Sequence, residues 1–222
     1  MAKYGAIIVA GGSGSRMQSA LPKQFMMLGS LPVVAHTINT FKEALPASDI
    51  VVVLPEEHIA IWKNLAARFD IAAHRTVAGG KERFHSVKCG IEALSEDVEL
   101  IAVHDGVRAM VTKQLIIRTL LDAEMSGATI PVIEVADSYR RIADKDSYII
   151  PRSELRIVQT PQIFRAEILR KAYEQSFSTA FTDDASVVEA AGYKISLVEG
   201  DKHNIKLTTP EDMEYAEWLL TK

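Results

Sequence analysis

Short, nearly continuous apolar runs alternate along this chain with longer stretches in which apolar residues recur every three or four positions. Residues 4–10, 49–54, 98–104, 128–135 and 193–199 are rich in Val and Ile. They predict strands covered on both faces, where no polar side is needed. Between them, Val34, Ile38, Phe41 and Leu45 make one helical stripe. Ile59, Trp62, Leu65 and Phe69 make a second, and Val87, Ile91 and Leu94 a third. A last helix is announced by its start. Thr209 can cap it, Pro210 suits the first helical position, and Glu211 and Asp212 place acids in the first turn. Strand–helix alternation without repeats or linkers predicts an α/β fold with a largely parallel sheet.

One stretch breaks this rhythm. From Ala136 to Ile157 the pattern is polar and partly alternating, with Asp144-Lys145-Asp146 as a turn. Tyr139, Tyr148, Ile149 and Ile150 give it more apolar surface than an isolated hairpin should carry, and a two-stranded ribbon is marginal alone. It reads as an arm that packs on something, either another copy of the chain or its own domain.

Composition narrows the picture. A chain of 222 residues suffices for one sizeable core, and 48% apolar with 24% charged residues is ordinary for a globular protein. The net charge of −4 gives no basic field for nucleic acid, so phosphate chemistry must rest on a local cluster of cations. No apolar run approaches the roughly 18 residues that span a membrane, and no signal-peptide core follows Lys3. The single cysteine, Cys89, excludes an internal disulfide framework and a cysteine-cluster zinc site. These features predict a cytoplasmic enzyme or binding domain.

The candidate chemistry begins right after the first strand, in Ala10-Gly11-Gly12-Ser13-Gly14-Ser15-Arg16-Met17, followed by Pro22-Lys23-Gln24. Glycines let a backbone turn tightly and bring its N–H groups close to an anion. Arg16 and Lys23 would add two positive charges. The dinucleotide fingerprint fails because Met17 stands where a third glycine is required. The P-loop fails too, because Glu82 follows Gly80-Lys81. A long irregular loop at a strand's carboxyl end remains, where ligands bind in open α/β sheets. A second strand ends in His104-Asp105-Gly106-Val107-Arg108. Asp105 is a candidate magnesium ligand or simply a turn aspartate, whereas His104 reads as a packed histidine. Gly79-Gly80-Lys81-Glu82-Arg83 again follows a short strand and opens a helix, a place for a base edge or a phosphate or a plain turn. Thr182-Asp183-Asp184 reads as a capped helix start, and Arg152 and Lys206 as scattered cations.

Taken together, the motifs resemble one family over nearly the whole chain. Ala10-Gly11-Gly12-x-Gly14-x-Arg16-Met17, Pro22-Lys23-Gln24 and Gly79-Gly80-x-Glu82-Arg83-x-x-Ser86-Val87 are similar to 2-C-methyl-D-erythritol 4-phosphate cytidylyltransferases. So are His104-Asp105-x-x-Arg108, Thr160-Pro161-Gln162-x-Phe164, Thr182-Asp183-x-Ala185-Ser186, Val198-Glu199-Gly200 and Asn204-Ile205-Lys206-x-Thr208. Gly106-Val107 and His203 depart from the usual pattern. The related ribitol-5-phosphate cytidylyltransferases share the opening loop, but Arg152-Ser153-x-Leu155 and Thr182-Asp183-Asp184-Ala185-Ser186 look like the erythritol enzymes.

The resemblance implies a single Rossmann-like domain, 1–222, with a mostly parallel twisted sheet, flanking helices and a β-arm, 136–157, that pairs two chains into a homodimer. It implies transfer of CMP from CTP to methylerythritol phosphate with release of pyrophosphate. Arg16 and Lys23 would be catalytic. Ala10, Gly11, Gly12 and Gly14 would cradle phosphates, and Gly79, Gly80 and Ser86 would border the cytosine. Asp105 would hold Mg²⁺, and Arg152, Thr182, Lys206 and Arg108 would position the acceptor. A cytidylyltransferase for another polyol phosphate and a non-catalytic nucleotide-binding module are the competing expectations.

Overall fold

The computed structural model describes residues 3–12, 21–144 and 146–222; the expected site residues Gly14 and Arg16 and the turn residue Lys145 lie outside them. In chain order the described residues form β1 (Tyr4–Val9), β2 (Met27–Leu28), β3 (Leu31–Pro32), α1 (Val33–Ala44), β4 (Asp49–Leu54), α2 (Glu56–Arg68), β5 (Arg75–Ala78), α3 (Arg83–Ala93), β6 (Leu100–Asp105) and α4 (Lys113–Ser126). There follow β7 (Ala128–Glu134), β8 (Tyr139–Ala143), β9 (Asp146–Ile150), β10 (Arg156–Val158), β11 (Gln162–Arg165), α5 (Ala166–Ala172), α6 (Asp184–Ala190), β12 (Ser196–Glu199) and α7 (Pro210–Leu220).

The main sheet has the order β10-β7-β11-β6-β1-β4-β5, with β12 added in parallel to β7. The strands β6, β1, β4 and β5 are mutually parallel, while β10 and β11 run antiparallel to β7. From β1 the chain crosses to β4 on one side and later returns to β6 on the other. That reversal opens a crevice at the carboxyl ends of β1 and its neighbours.

Strand alternation sorts the core into two layers. Ile8, Val52, Leu54 and Ala102 face α1, α2 and α4, packing on Ile38, Phe41, Trp62 and Leu115. Ile7, Val51, Val53, Ile101 and Val103 face the other way, onto Val87, Ile91, Leu169 and Val188 of α3, α5 and α6. The inner strand β6 is buried along its whole length, so its unbroken apolar run follows from coverage on both faces. A third cluster, Leu28, Val33, Val107, Leu207, Met213 and Ala216, seats α7 against the loop after β6.

The helix starts agree with the sequence. Thr209 and Asp212 form a reciprocal cap at α7, with Pro210 in the first turn. Asp183 and Ser186 do the same for α6. Such a cap contributes on the order of 1 kcal/mol. Three differences from the sequence reading stand out. The strand expected over 193–199 begins only at Ser196 and alternates between half-buried and exposed, because it pairs with β7 alone. The pattern does not single out α4, α5, β10 or β11. The stretch 136–157 is divided: β8 and β9 pair as a separate hairpin, whereas Arg156 and Ile157 join the main sheet opposite Glu134 and Ile133.

Candidate active site

The carboxyl ends of β1, β5 and β6 open into a cavity of about 340 Å³. Val9 lies opposite Asp105 in the sheet register, so the turn after β1 and the Asp105 carboxylate face each other. The Ala10 amide donates to the Val53 carbonyl (2.9 Å) and the Gly106 amide to the Val9 carbonyl (2.8 Å), which fixes both turns on the sheet. Of the expected site residues, Ala10, Gly11, Gly12, Lys23, Gly80, Ser86, Asp105 and Lys206 border the cavity. Gly79, Arg108, Arg152 and Thr182 do not.

Each bordering residue is held for a local reason. Lys23 begins a short 3-10 turn, Lys23–Phe25, whose Phe25 is buried and stacked on Trp62, ring centroids 5.8 Å apart and planes 6° from parallel. Emptying the Phe25 site would cost about 3–5 kcal/mol, so this aromatic anchor fixes the turn that carries the cation. Across the cavity, the Ser86 hydroxyl accepts from the Gly80 amide at 3.2 Å. A Cβ on Gly79 would meet that hydroxyl at 2.7 Å, and one on Gly80 would meet the His85 Cβ at 2.4 Å. Only glycine lets this loop lie so close to the start of α3.

Asp105 sits at the charged centre. Its Oδ2 is 2.9 Å from Lys206 Nζ and 3.7 Å from Arg108 Nε, and its Oδ1 is 3.5 Å from Arg83 Nε. Burial pushes the carboxyl upward, but Arg83, then Lys206 and Arg108, outweigh it and hold the pKa well below the usual carboxylate range. Behind it, the Asp105 amide donates to the Thr160 hydroxyl at 3.1 Å. That hydroxyl is 3.0 Å from His104 Nδ1, and His104 Nε2 is 3.3 Å from the Arg108 carbonyl. A carbonyl only accepts, so the proton is assigned to Nε2, and Thr160 donates to Nδ1. His104 is fully buried, and burial pushes its pKa down to about 3. It is a neutral packed histidine, as the sequence suggested.

Lys206 is placed by clamps on both sides. Buried Asn204 donates to the Thr160 carbonyl at 2.8 Å, and its own carbonyl accepts from Arg108 Nη1 at 2.8 Å. The Gln159 carboxamide donates to the Asp201 carbonyl and accepts from its amide. On the far side, Thr208 and Thr209 bind the Asp212 carboxylate. Arg108 therefore braces the Lys206 segment from beneath. Thr182 is exposed, and its amide donates to the Ser186 hydroxyl of α6 at 3.1 Å. Arg152 donates to the Ala136 carbonyl at the base of the arm.

This geometry gathers Ala10, Gly11 and Gly12, the Gly-Gly turn, the strand-end aspartate and Lys206 of the Asn-Ile-Lys segment around one cavity. The family model for 2-C-methyl-D-erythritol 4-phosphate cytidylyltransferase matches residues 5–222. The chain belongs to this family. A relative of that name from Bacteroides fragilis is 46% identical over 97% of this chain and 98% of its own length. One from Porphyromonas gingivalis is 46% identical over 97% of both. The fold matches 4-diphosphocytidyl-2C-methyl-D-erythritol synthase of Anaerococcus prevotii with a TM-score of 0.84, at 29% identity over 100% of this chain and 97% of that one. The Francisella tularensis cytidylyltransferase superposes with a TM-score of 0.80, at 27% identity over 98% and 99%.

For a member of this cytidylyltransferase family, residues in and behind the cavity do work that the sequence reading did not assign to them. Thr160, Gln159 and Asn204 connect β6, β11 and the Lys206 segment. Arg83 lines the cavity from the first turn of α3. A cation at a helix N-terminus opposes the helix dipole, and that misfit is the signal that an acidic partner holds it. Among the described residues, no three His, Cys, Asp or Glu side chains are grouped to hold a metal, and none of the helices is long and apolar enough to cross a membrane. Asp105 offers a hard-oxygen donor at the cavity wall, which Glu82 also lines. That fits a magnesium ion whose other ligands come from phosphates and water.

Proposed function

We propose that this cavity transfers CMP from CTP to 2-C-methyl-D-erythritol 4-phosphate, giving the CDP-alcohol and pyrophosphate. The observation that carries the reading is the convergence of Lys23, Lys206 and Asp105 on a cavity walled by glycine turns, in a chain of this family. The acceptor phosphate attacks the α-phosphorus of CTP in line with the departing pyrophosphate. The new P–O bond forms as the bond to the β-phosphate oxygen breaks. A phosphate monoester has a second pKa of about 6, so it arrives largely as the dianion and needs no base. The cavity accordingly needs no histidine poised near neutrality.

What the reaction needs is charge compensation. Two anions must meet, and charge builds on the α-phosphate and the leaving group. Lys23, with Arg16 from outside the described residues, stabilises that charge. The amides of Ala10, Gly11, Gly12 and Gly14 cradle the phosphates, and Gly79, Gly80 and Ser86 border the cytosine. Lys206, braced by Arg108, orients the acceptor phosphate. Asp105, together with phosphate oxygens, would hold Mg²⁺, which supplies Lewis-acid charge neutralisation when bound.

Arg152 and Thr182 belong to the acceptor side only if a second chain completes the site. The exposed arm supports that assembly as a homodimer. Ile142 is 73% and Ile149 67% exposed in the single chain, more apolar surface than a solvated hairpin retains.

Pyrophosphate release from a panel of nucleoside triphosphates, each paired with methylerythritol phosphate or ribitol 5-phosphate, tests the reaction. Release with CTP and methylerythritol phosphate alone is the expected result. Preference for ribitol 5-phosphate would move the chain to the other acceptor, and no release with any pair would make it a binding module. Lys206→Ala should raise the KM for the acceptor more than that for CTP.

A further inference from the structure

We infer that Arg83 is a positioning residue that sets the orientation of Asp105, and through it Lys206, by tying the start of α3 at the cavity to the start of α6. Its guanidinium is forked onto Asp184, Nη1 to Oδ1 at 2.9 Å and Nη2 to Oδ2 at 2.7 Å. Asp184 is fully buried, and Tyr173 donates its hydroxyl to Oδ1 at 2.7 Å. The fork leaves Nε free of Asp184 and 3.5 Å from Asp105 Oδ1, an ion-pair contact. One oxygen of Asp105 therefore faces Arg83, and the other faces Lys206 and Arg108.

This arrangement has a direction. A bidentate pair fixes the guanidinium plane, and the plane fixes where Nε points. Asp105 has one single-bonded rotor beyond its Cβ. With Oδ1 engaged by Arg83, Oδ2 is presented to Lys206 at 2.9 Å. Without Arg83, that carboxylate can turn toward either remaining cation, and Lys206 loses the contact that fixes its head. The bridge also spans the molecule. Arg83 stands in the first turn of α3, beside the Gly79-Gly80 loop. Asp184 opens α6, directly after Thr182 and Asp183, and Gln162 holds that start through Asp183 and the Ala185 amide. The Gly79-Gly80 loop and the start of α6 thus meet at one guanidinium. Lysine cannot replace it, because a point charge on a flexible stem has no fork.

The inference rests on Lys206 serving the acceptor, and the test separates the two statements. Arg83→Met alone strands a buried carboxylate and is expected to lower the melting temperature. The double variant Arg83→Met/Asp184→Asn removes both charges, and the new amide oxygen still accepts from Tyr173. The expected result is that the double variant regains most of the melting temperature lost by Arg83→Met. Its turnover stays about 10–100-fold down, a loss typical of misplaced groups. The substrate whose KM rises should be the same one whose KM rises in Lys206→Ala. Arg83→Lys should fold normally and share that KM change. If turnover returns together with stability in the double variant, Arg83 is a tie between helices and the inference fails. It fails equally if Arg83→Lys leaves both KM values unchanged, or if the Arg83 and Lys206 variants affect different substrates. Should both raise the KM for CTP instead, the acceptor assignment of Lys206 falls while the coupling of Arg83 to Lys206 stands.

Discussion

The rim of the cavity and the β8–β9 arm are both rich in charge, yet they satisfy it in opposite ways. At the rim, the buried carboxylate of Asp105 meets three cations, and Thr160, His104 and Asn204 close every loop onto a neighbouring loop of the same chain. On the arm, every residue of β8 is exposed, and the cross-strand side-chain bonds run from Arg140 to Ser147. Among the described residues, these rim contacts are all made within one chain. The arm presents apolar surface that its own chain leaves uncovered, with Tyr139 and Tyr148 beside Ile142 and Ile149. The contrast teaches that charge buried in the cavity is compensated within the chain, whereas the arm leaves its apolar side chains to solvent or to the second chain proposed above.

That contrast can be tested from the rim outward. Lys23→Ala should cut turnover by about 10²–10³ while CTP still binds in a titration, because the cation acts on charge that develops only during the reaction. Near wild-type turnover would remove Lys23 from the chemistry. Thr160→Val should destabilise the chain by about 1–3 kcal/mol in denaturant melts, since the buried Asp105 amide loses its acceptor. An unchanged midpoint would show that the rim does not depend on this hydroxyl.

Acid should act on the rim before it acts on the arm. His104 has an unfolded pKa of about 6.5 and a folded pKa pushed down to about 3 by burial. Between those values the unfolded chain binds one more proton than the folded chain. Stability should therefore fall as pH drops below about 6.5, by up to about 1.4 kcal/mol per pH unit. The lowered pKa of Asp105 adds a loss of the same sign, which begins only below the unfolded carboxylate pKa near 3.9. A His104→Gln chain should show a flatter profile between pH 6.5 and 4; an identical slope would place the titration elsewhere. The smallest energetic effect belongs to the arm. Ile142→Asp with Ile149→Asp should change single-chain stability by no more than about 0.5 kcal/mol, as exposed substitutions do, yet should give a monomer in sedimentation. A persisting dimer would refute assembly through this hairpin.

Much of the scaffold was legible because it depends on local rules. Strands β1, β4 and β6 are buried on both faces and read as unbroken apolar runs. Thr209 and Asp183 announce helix starts by bonds that reach three residues along the chain. Asp105 was found from its place at a strand end. Other features were illegible for an equally physical reason. β11 reads Gln-Ile-Phe-Arg, which carries no period of its own, and it is a strand because β6 and β7 both pair with it. Arg83 at a helix start hints at an acidic partner, but which one is hidden until the fold brings Asp184, far away in sequence, to 2.7 Å. Thr160 and Asn204 are single polar residues whose meaning lies wholly in their distant partners.

The clamp around Lys206 also bears on how the chain acquires its activity during synthesis. The glycine turns, Lys23 and Asp105 all lie in the first half of the sequence, whereas Lys206 and the Asp212 that secures its segment emerge near the end. Chains fold from the N-terminus as they leave the ribosome, and contacts of long sequence separation form last. A nascent chain can therefore build its nucleotide half early, but Asp105 waits through half of translation for its lysine. The Asp105–Lys206 contact therefore joins two segments about a hundred residues apart and forms only when both have been made.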